Sequence, residues 1–289
     1  THFGALRQMS VHGILAVGLL PVILTGGIDL AVGSMLGLVA VIVAKLVMHL
    51  GFSGAMGIVA GLVAGGACGA VSGSLVSFAR VQPFVATLAM MVFARGLAKM
   101  ASGGMKVATA VAGPDGVMRY VEVPPLFRAI DTQVAGGGVA VVTIVFLAMA
   151  LVVGALCGFH RIGRYWLAVG GNEEAARLSG VPVSAAKIAA YVWCGICAAV
   201  AGICHAAEEQ QGDPEAGATY ELTAIAMVVI GGTSLSGGRG GIGATLLGVL
   251  TIGYLDKILS INAVPEASRL MLTGVIVVLA VLAQKSGRS

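Results

Sequence analysis

Charge is what this chain has least of. Only 10% of its 289 residues are Asp, Glu, Lys or Arg, where a soluble domain carries about 25%. A soluble protein of this length has too much surface to cover with so few charges, which excludes a water-soluble enzyme or binding module. No basic cluster accompanies the net charge of +4, so nucleic acid is not an expected partner. No G-x-x-x-x-G-K-[ST] occurs, and without that lysine a nucleotide phosphate has no Walker A partner. The first residue is Thr1 rather than Met, and THFGALRQMS does not have the pattern of a signal peptide. The five cysteines, Cys68, Cys157, Cys194, Cys197 and Cys204, form no disulfide framework and fall in apolar segments, where Cys behaves as a small buried hydrophobe. CGICAAVAGICH places Cys194 and Cys197 on one helix face, near Cys204 and His205. Burial within a span is the reading taken there, against the alternative of a metal or redox pair. No cluster of His, Asp or Ser marks a membrane-embedded catalytic centre, so no catalytic residue, metal ligand or cofactor is assigned.

What the chain has is apolar length. Hydrophobic residues make up 58%, with 44 glycines and a mean hydropathy of +0.99. Glycine is tolerated in membrane helices because small residues let backbones approach. The expected fold is therefore all-α, a polytopic membrane helical bundle, since a crossing helix needs roughly 17–25 mostly apolar residues. About nine spans are predicted, at 11–25, 28–49, 54–78, 84–101, 136–158, 188–206, 221–235, 241–259 and 269–284. The first two, joined by TGGIDL, are either one long broken helix or two spans. The chain reads as a single transmembrane domain, 1–289, with an outer loop at 102–135 and a cytoplasmic loop at 159–187. The latter holds Arg161, Arg164, Arg177 and Lys187, and the tail holds Lys285 and Arg288. Both therefore take the cytoplasmic side. Between them AAEEQQGDPEAGATYE carries only acidic charge and falls outside. Arg95 and Lys99, near the start of the outer loop, fit this rule less well.

VIGGTSLSGGRGGIGATLLG (Val229–Gly248) holds two soluble-enzyme look-alikes. LSGGR is one letter from an ATPase signature, and Gly238-x-Gly240-x-x-Gly243 has the spacing of a dinucleotide-binding turn. The first lacks a Walker A loop, and the second needs a strand before it and a helix after it. The reading taken is a tight turn between two spans, built by Gly231, Gly232, Gly237, Gly238 and Arg239. Asp29, in ILTGGIDLAVGS, is costly inside a bilayer. Gly26 and Gly27 break the helix before it, so Thr25, Gly26, Gly27 and Asp29 either line a translocation path or gate, or Asp29 caps a helix starting near Leu30 or simply lies at the cytoplasmic interface. GGNEEAARLSG reads as a short helix capped by Asn172, with Glu173 and Glu174 in its favourable first turn and Gly180 and Pro182 ending it. It is either an ordinary surface helix or one shaped to dock on another protein.

TGGIDLAVGS, VQPFVATLAMM, AVGGNEEAARLSGV and AIAMVVIGGTSLSGGRGGIGATLLGVL, in this order over nearly the whole chain, resemble the permease subunits of ribose-type sugar ABC importers, in the branched-chain amino acid/ribose permease superfamily. The resemblance implies a non-enzymatic transport subunit in the bacterial cytoplasmic (inner) membrane. It implies a homodimer or paired permease, an ABC ATPase subunit that binds the ATP, and a periplasmic or extracellular sugar-binding protein. It makes Asn172, Glu173, Ala175, Ala176, Arg177 and Gly180 the segment coupled to the ATPase. Gln82 and Thr87 join the candidate pathway residues, with Asn262 as a further candidate contact. Such permeases carry about ten spans, so the family's first span is expected to be missing here. Ala31 stands where the family motif commonly has Ser, a hydroxyl fewer beside Asp29. Alternatives are a related permease for a nucleoside, autoinducer or amino acid, or a secondary transporter that needs no ATPase.

Overall fold

The computed structural model describes residues 2–112, 118–134 and 139–286. The first residues of the expected 136–158 span, part of the 102–135 loop and Arg288 lie outside that set. The described residues are overwhelmingly helical: α1 (His2–Leu24), α2 (Val32–Ala44, prolonged by a π-helical stretch Lys45–His49), α3 (Gly54–Ser77), α4 (Pro83–Ser102), α5 (Pro125–Asp131), α6 (Val141–Phe159), α7 (Arg161–Gly171), α8 (Glu173–Leu178), α9 (Val183–Glu209), α10 (Tyr220–Ile230), α11 (Ile242–Ile261) and α12 (Glu266–Ser286). The 102–140 region adds two small antiparallel pairs, β1 (Ala110–Ala112) with β2 (Met118–Tyr120), and β3 (Gln133–Val134) with β4 (Val139–Ala140).

Six helices among the described residues are long and apolar enough to cross a membrane: Val32–His49, Gly54–Ser77, Pro83–Ser102, Val141–Phe159, Val183–Glu209 and Ile242–Ile261. The other three expected spans fall on shorter apolar stretches, Met9–Leu24, Tyr220–Ile230 and Ala267–Ile276. Two of these belong to longer helices, α1 with 23 residues and α12 with 21, whereas Tyr220–Ile230 is the whole of α10 at 11 residues. Segment 221–235 is cut short at Ile230 because Gly231 and Gly232, the latter at φ +98°, leave the helix.

The question left by TGGIDL is resolved as two helices. Along α1, Gly18 faces Cys197, and just beyond its end Gly27 faces Tyr191, so α1 descends toward the start of α9. α2 climbs back: Leu36 and Val39 meet Gly202, and Ala40 and Ala44 meet Gly212. From Met9 onward α1 is buried almost throughout, as is α2, with α9 between them. α3 supplies the closest packing. Gly57, Gly61, Gly65, Gly69 and Gly73 recur every fourth residue and are all buried. A Cβ on Gly65 would overlap the Gly195 carbonyl, and one on Gly69 the Tyr191 carbonyl. At Gly73 it would stand 2.9 Å from the Ile188 Cα. Four-residue spacing puts these glycines on one helix face, and in lipid such a face associates by backbone approach. The remaining faces of α3, α4, α6 and α11 expose Val63, Val92, Leu151 and Leu247, as a bilayer-facing surface does.

The bundle has two distinct ends. At one, the 102–140 region meets 207–219 through a bridge between Val107 and Gly212. At the other lie α7, α8, the 25–31 break, the 78–82 loop and the 231–241 turn.

Candidate functional site

The α8 end is built outward from α6. α7 folds back tightly because Gly163 sits against the Leu156 and Cys157 backbone, where any Cβ would clash. Trp166 is buried, and its indole N–H donates to the Ala186 carbonyl at 2.9 Å, clamping α7 to the first turn of α9. α8 follows with the expected caps. The Asn172 side-chain oxygen accepts the Ala175 N–H at 2.9 Å, and Gly180 takes φ +81°. Arg177 pairs with Glu173 (3.0 Å) and Glu174 (3.2 Å), and Lys187 on α9 reaches Glu173 at 2.6 Å. Of the six residues expected to contact an ATPase, Ala176 is turned into the chain and buried, whereas Ala175 and Arg177 face outward. Leu178, absent from that expectation, is 81% exposed. An outward leucine on a small-residue helix was legible in AARLSG but was not singled out.

Beside α8 is a cavity of about 530 Å³, lined by Arg80, Gln82, Glu173, Arg177, Ser184 and Lys187 among others. Gln82 belongs here rather than with the other candidate pathway residues. Those gather at the break between α1 and α2. Thr25 donates to the Val22 carbonyl at 2.7 Å, and Gly26 takes φ +77°. The Ile28 carbonyl accepts from the hydroxyls of Tyr191 and Thr87, each at 3.4 Å; Thr87 also bonds the Pro83 carbonyl at 2.9 Å. Asp29 is fully buried. One carboxylate oxygen accepts the Ala31 N–H at 2.9 Å, and the carboxylate also meets the Cys194 thiol. Its second oxygen has no partner among the described residues. The cap expectation is thus modified: α2 starts at Val32 and its N-cap is Ala31, so Asp29 closes the turn before the helix. Non-helical backbone at membrane depth is tolerated only where protein or water satisfies it, and here protein does most of that.

The 231–241 turn seals this break. Gly238 N–H donates to the Leu24 carbonyl at 2.9 Å. Gly237 and Gly238, at φ +82° and +72°, press on Gly26, Gly170 and Gly171. Gly231 abuts the Ala244 carbonyl. Arg239 keeps its side chain exposed while its carbonyl accepts the Ser234 N–H. AIAMVVI, the strand that a dinucleotide turn would need, is helix α10. Three backbones meet here: the end of α1, the end of α7, and the turn before α11.

At the opposite end side chains make the joins. Arg95 on α4 donates to the Pro214 and Ala216 carbonyls, which explains a cation where the loop rule had no place for one. Lys99 pairs with Glu215 at 2.6 Å and Lys106 with Asp213 at 2.9 Å. Burial raises the Asp213 carboxyl, but the hydrogen bonds from Lys106 and the Glu215 N–H outweigh it and hold the group below its ordinary value. The hydrogen bond from Lys99 lowers Glu215, and the bond that Lys106 donates to Asp213 raises Lys106. Arg7 bridges Asp131 and Glu208. Sequence reasoning missed these joins, because the partners lie more than a hundred residues apart.

This architecture defines a multi-pass helical membrane protein whose polar end segment rests on a glycine-lined break. Residues 2–281 match the family described as branched-chain amino acid transport system / permease component, and the chain belongs to that family. It is 41% identical over 286 residues to the ribose import permease protein RbsC of Escherichia coli (strain K12), covering 97% of this chain and 84% of that one. The RbsC protein of Bacillus subtilis (strain 168) is 36% identical over 277 residues, 96% of this chain and 82% of its own. The xylose transport system permease protein XylH of Escherichia coli (strain K12) is 33% identical over 323 aligned positions, again 96% and 82%. No solved structure matches this chain significantly.

Proposed function

We propose that this chain is the membrane permease of an ATP-driven importer for a monosaccharide, with a pentose such as ribose as cargo. The named relatives import ribose and xylose, which favours a sugar over a nucleoside, autoinducer or amino acid. The α8 end faces the cytoplasm, where its Arg80, Arg161, Arg164, Arg177, Lys187 and Arg239 satisfy the positive-inside rule. The membrane is the bacterial inner membrane. The three shorter apolar stretches complete nine crossings, with non-helical backbone of the 212–219 segment finishing α10's passage against α2. A second permease copy, an ABC ATPase below and a sugar-binding protein above complete the machine.

The observation that carries the coupling role is the capped α8, anchored to α9 by Lys187–Glu173 while Ala175 and Leu178 stay bare. A push on α8 passes along α7 to Gly170–Gly171, and there meets both the 231–241 turn and the carbonyl end of α1. Thr25, Gly26, Gly27, Asp29 and Thr87 form the gate region that this push moves, and Gln82 sits at its cytoplasmic mouth. The test is to tag the C-terminus, solubilise native membranes gently, identify the co-purifying proteins and assay ATP hydrolysis. An ABC ATPase stimulated by a sugar-loaded binding protein is the expected result. An intact chain that purifies alone and still transports would make this a secondary transporter.

A further inference from the structure

We propose that the α8 end carries a site for one anionic phospholipid, its phosphate held by Arg80, Arg177 and Lys187 and an acyl chain laid against Phe78 and Ile188. The side of the membrane, though not the site itself, rests on the reading of α8 as cytoplasmic. The argument starts at Arg80. α3 ends in a turn where the Val81 N–H bonds the Leu75 carbonyl at 3.0 Å, and Arg80 occupies the left-handed position before it at φ +53°. Glycine is the usual occupant of that position, because a Cβ is strained there. Arginine holds it here, with its side chain exposed at the cavity rim and no hydrogen bond or ion pair among the described residues. Gln210, Thr219 and Ala263 also take positive φ, so what singles out Arg80 is the combination of that position with a cationic side chain at a cavity rim.

Around the same cavity stand two more cations, Arg177 and Lys187; Glu173 pairs with both and Glu174 with Arg177, so three cations share two carboxylates and Arg80 has neither. A cation at the end of α3 also faces that helix's last carbonyls. None of those carbonyls accepts a hydrogen bond from the Arg80 guanidinium among the described residues, which leaves that side chain available to a ligand. The neighbouring groove is apolar, formed by Phe78, Pro182, Val183, Ala185 and Ile188, and it shares Arg177 with the cavity. Phe78 is 69% exposed at the end of α3, and Ile188 lies opposite Gly73 on that same crossing helix. The groove therefore opens beside an exposed aromatic ring at the end of the apolar α3, where an acyl chain can lie against it. Cationic pockets between helices at the cytoplasmic surface recognise anionic headgroups.

The experiment uses the full chain, stripped of lipid in detergent and titrated with phosphatidylglycerol or phosphatidylcholine, with retained lipid counted by native mass spectrometry. Arg80→Gly is the informative variant, since glycine takes φ +53° freely and the turn keeps its shape. Wild type is expected to retain phosphatidylglycerol over phosphatidylcholine, and Arg80→Gly to retain about fivefold less of the former, as loss of one basic contact implies. Its thermal midpoint should not fall, and Arg80→Lys should restore most retention. Equal retention by Arg80→Gly, or no preference in wild type, overturns the site. An Arg80→Gly chain that keeps the lipid but loses its ATPase would assign the cavity to an acidic segment of that protein instead. The lipid titration involves neither cargo nor ATP, so failure of the transport reading leaves its outcome intact.

Discussion

The two ends of the bundle are joined by opposite means. The 102–140 end is held by long side chains: Arg95 on two carbonyls, Lys99 on Glu215, Lys106 on Asp213 and Arg7 between Asp131 and Glu208. At the α8 end, where Trp166 and Lys187 tie α7 and α8 to α9, the break between α1 and α2 is instead closed by absence of side chains, with Gly26, Gly170, Gly171, Gly237 and Gly238 touching backbone to backbone. The first kind of join can lose a member and relax around the gap. The second admits no addition and contains no titrating group. A region that must transmit small displacements is served by the second kind, because stiff backbone contacts have nowhere to absorb the motion.

The contrast breaks most sharply at Gly238. Gly238→Val adds a Cβ at φ +72° and drives it into Gly170 and Gly171. The left-handed strain and the overpacking together should cost about 3 kcal/mol or more. A large fall in thermal midpoint in detergent, or failure to accumulate, is expected, and a midpoint near wild type would refute the backbone closure. Arg95→Met comes next. It strands the Pro214 and Ala216 carbonyls, for a loss of about 1–3 kcal/mol, read in the same melt, while transport by the surviving folded fraction should persist.

Ala175→Trp should leave the melt unchanged, because that residue faces outward, yet abolish sugar-dependent stimulation of ATP hydrolysis. Ala176→Trp should fail in the melt as well, since Ala176 is buried. If both variants behave alike, α8 is not oriented as described. The smallest effect is that of acid. Asp213 and Glu215 are held below their ordinary values, so their contribution is fully present above roughly pH 5 and fades as pH falls through the lowered values. Hydrogen exchange should then quicken around 99–106 and 212–216 and not around 24–27 or 237–238. Lys106, raised, loses its contribution only as pH climbs past the ordinary lysine range.

The sequence exposed local features far better than distant ones. The α8 caps, the break at Gly26–Gly27 and the turn glycines all announce themselves through residues a few positions apart, and the structure places them where those spacings imply. The position of Gln82 did not announce itself, because nothing local says that the 78–82 loop meets α8. Asp29 was ambiguous for a similar reason: its partners include Cys194, far along the chain. The count of spans was least legible. A length criterion leaves helices such as α10 undecided: it has 11 residues and follows the irregular 212–219 segment packed on α2.

The glycine ladder of α3 has a consequence for how such chains diverge. Every substitution at Gly65 or Gly69 is an enlargement, and the facing positions, the carbonyls of Gly195 and Tyr191, have no smaller residue to retreat to. A second-site change on α9 cannot make room. α3 and α9 therefore form one unit of inheritance: a chimera exchanging either helix alone should misassemble, while one exchanging the pair keeps the contact that both backbones share.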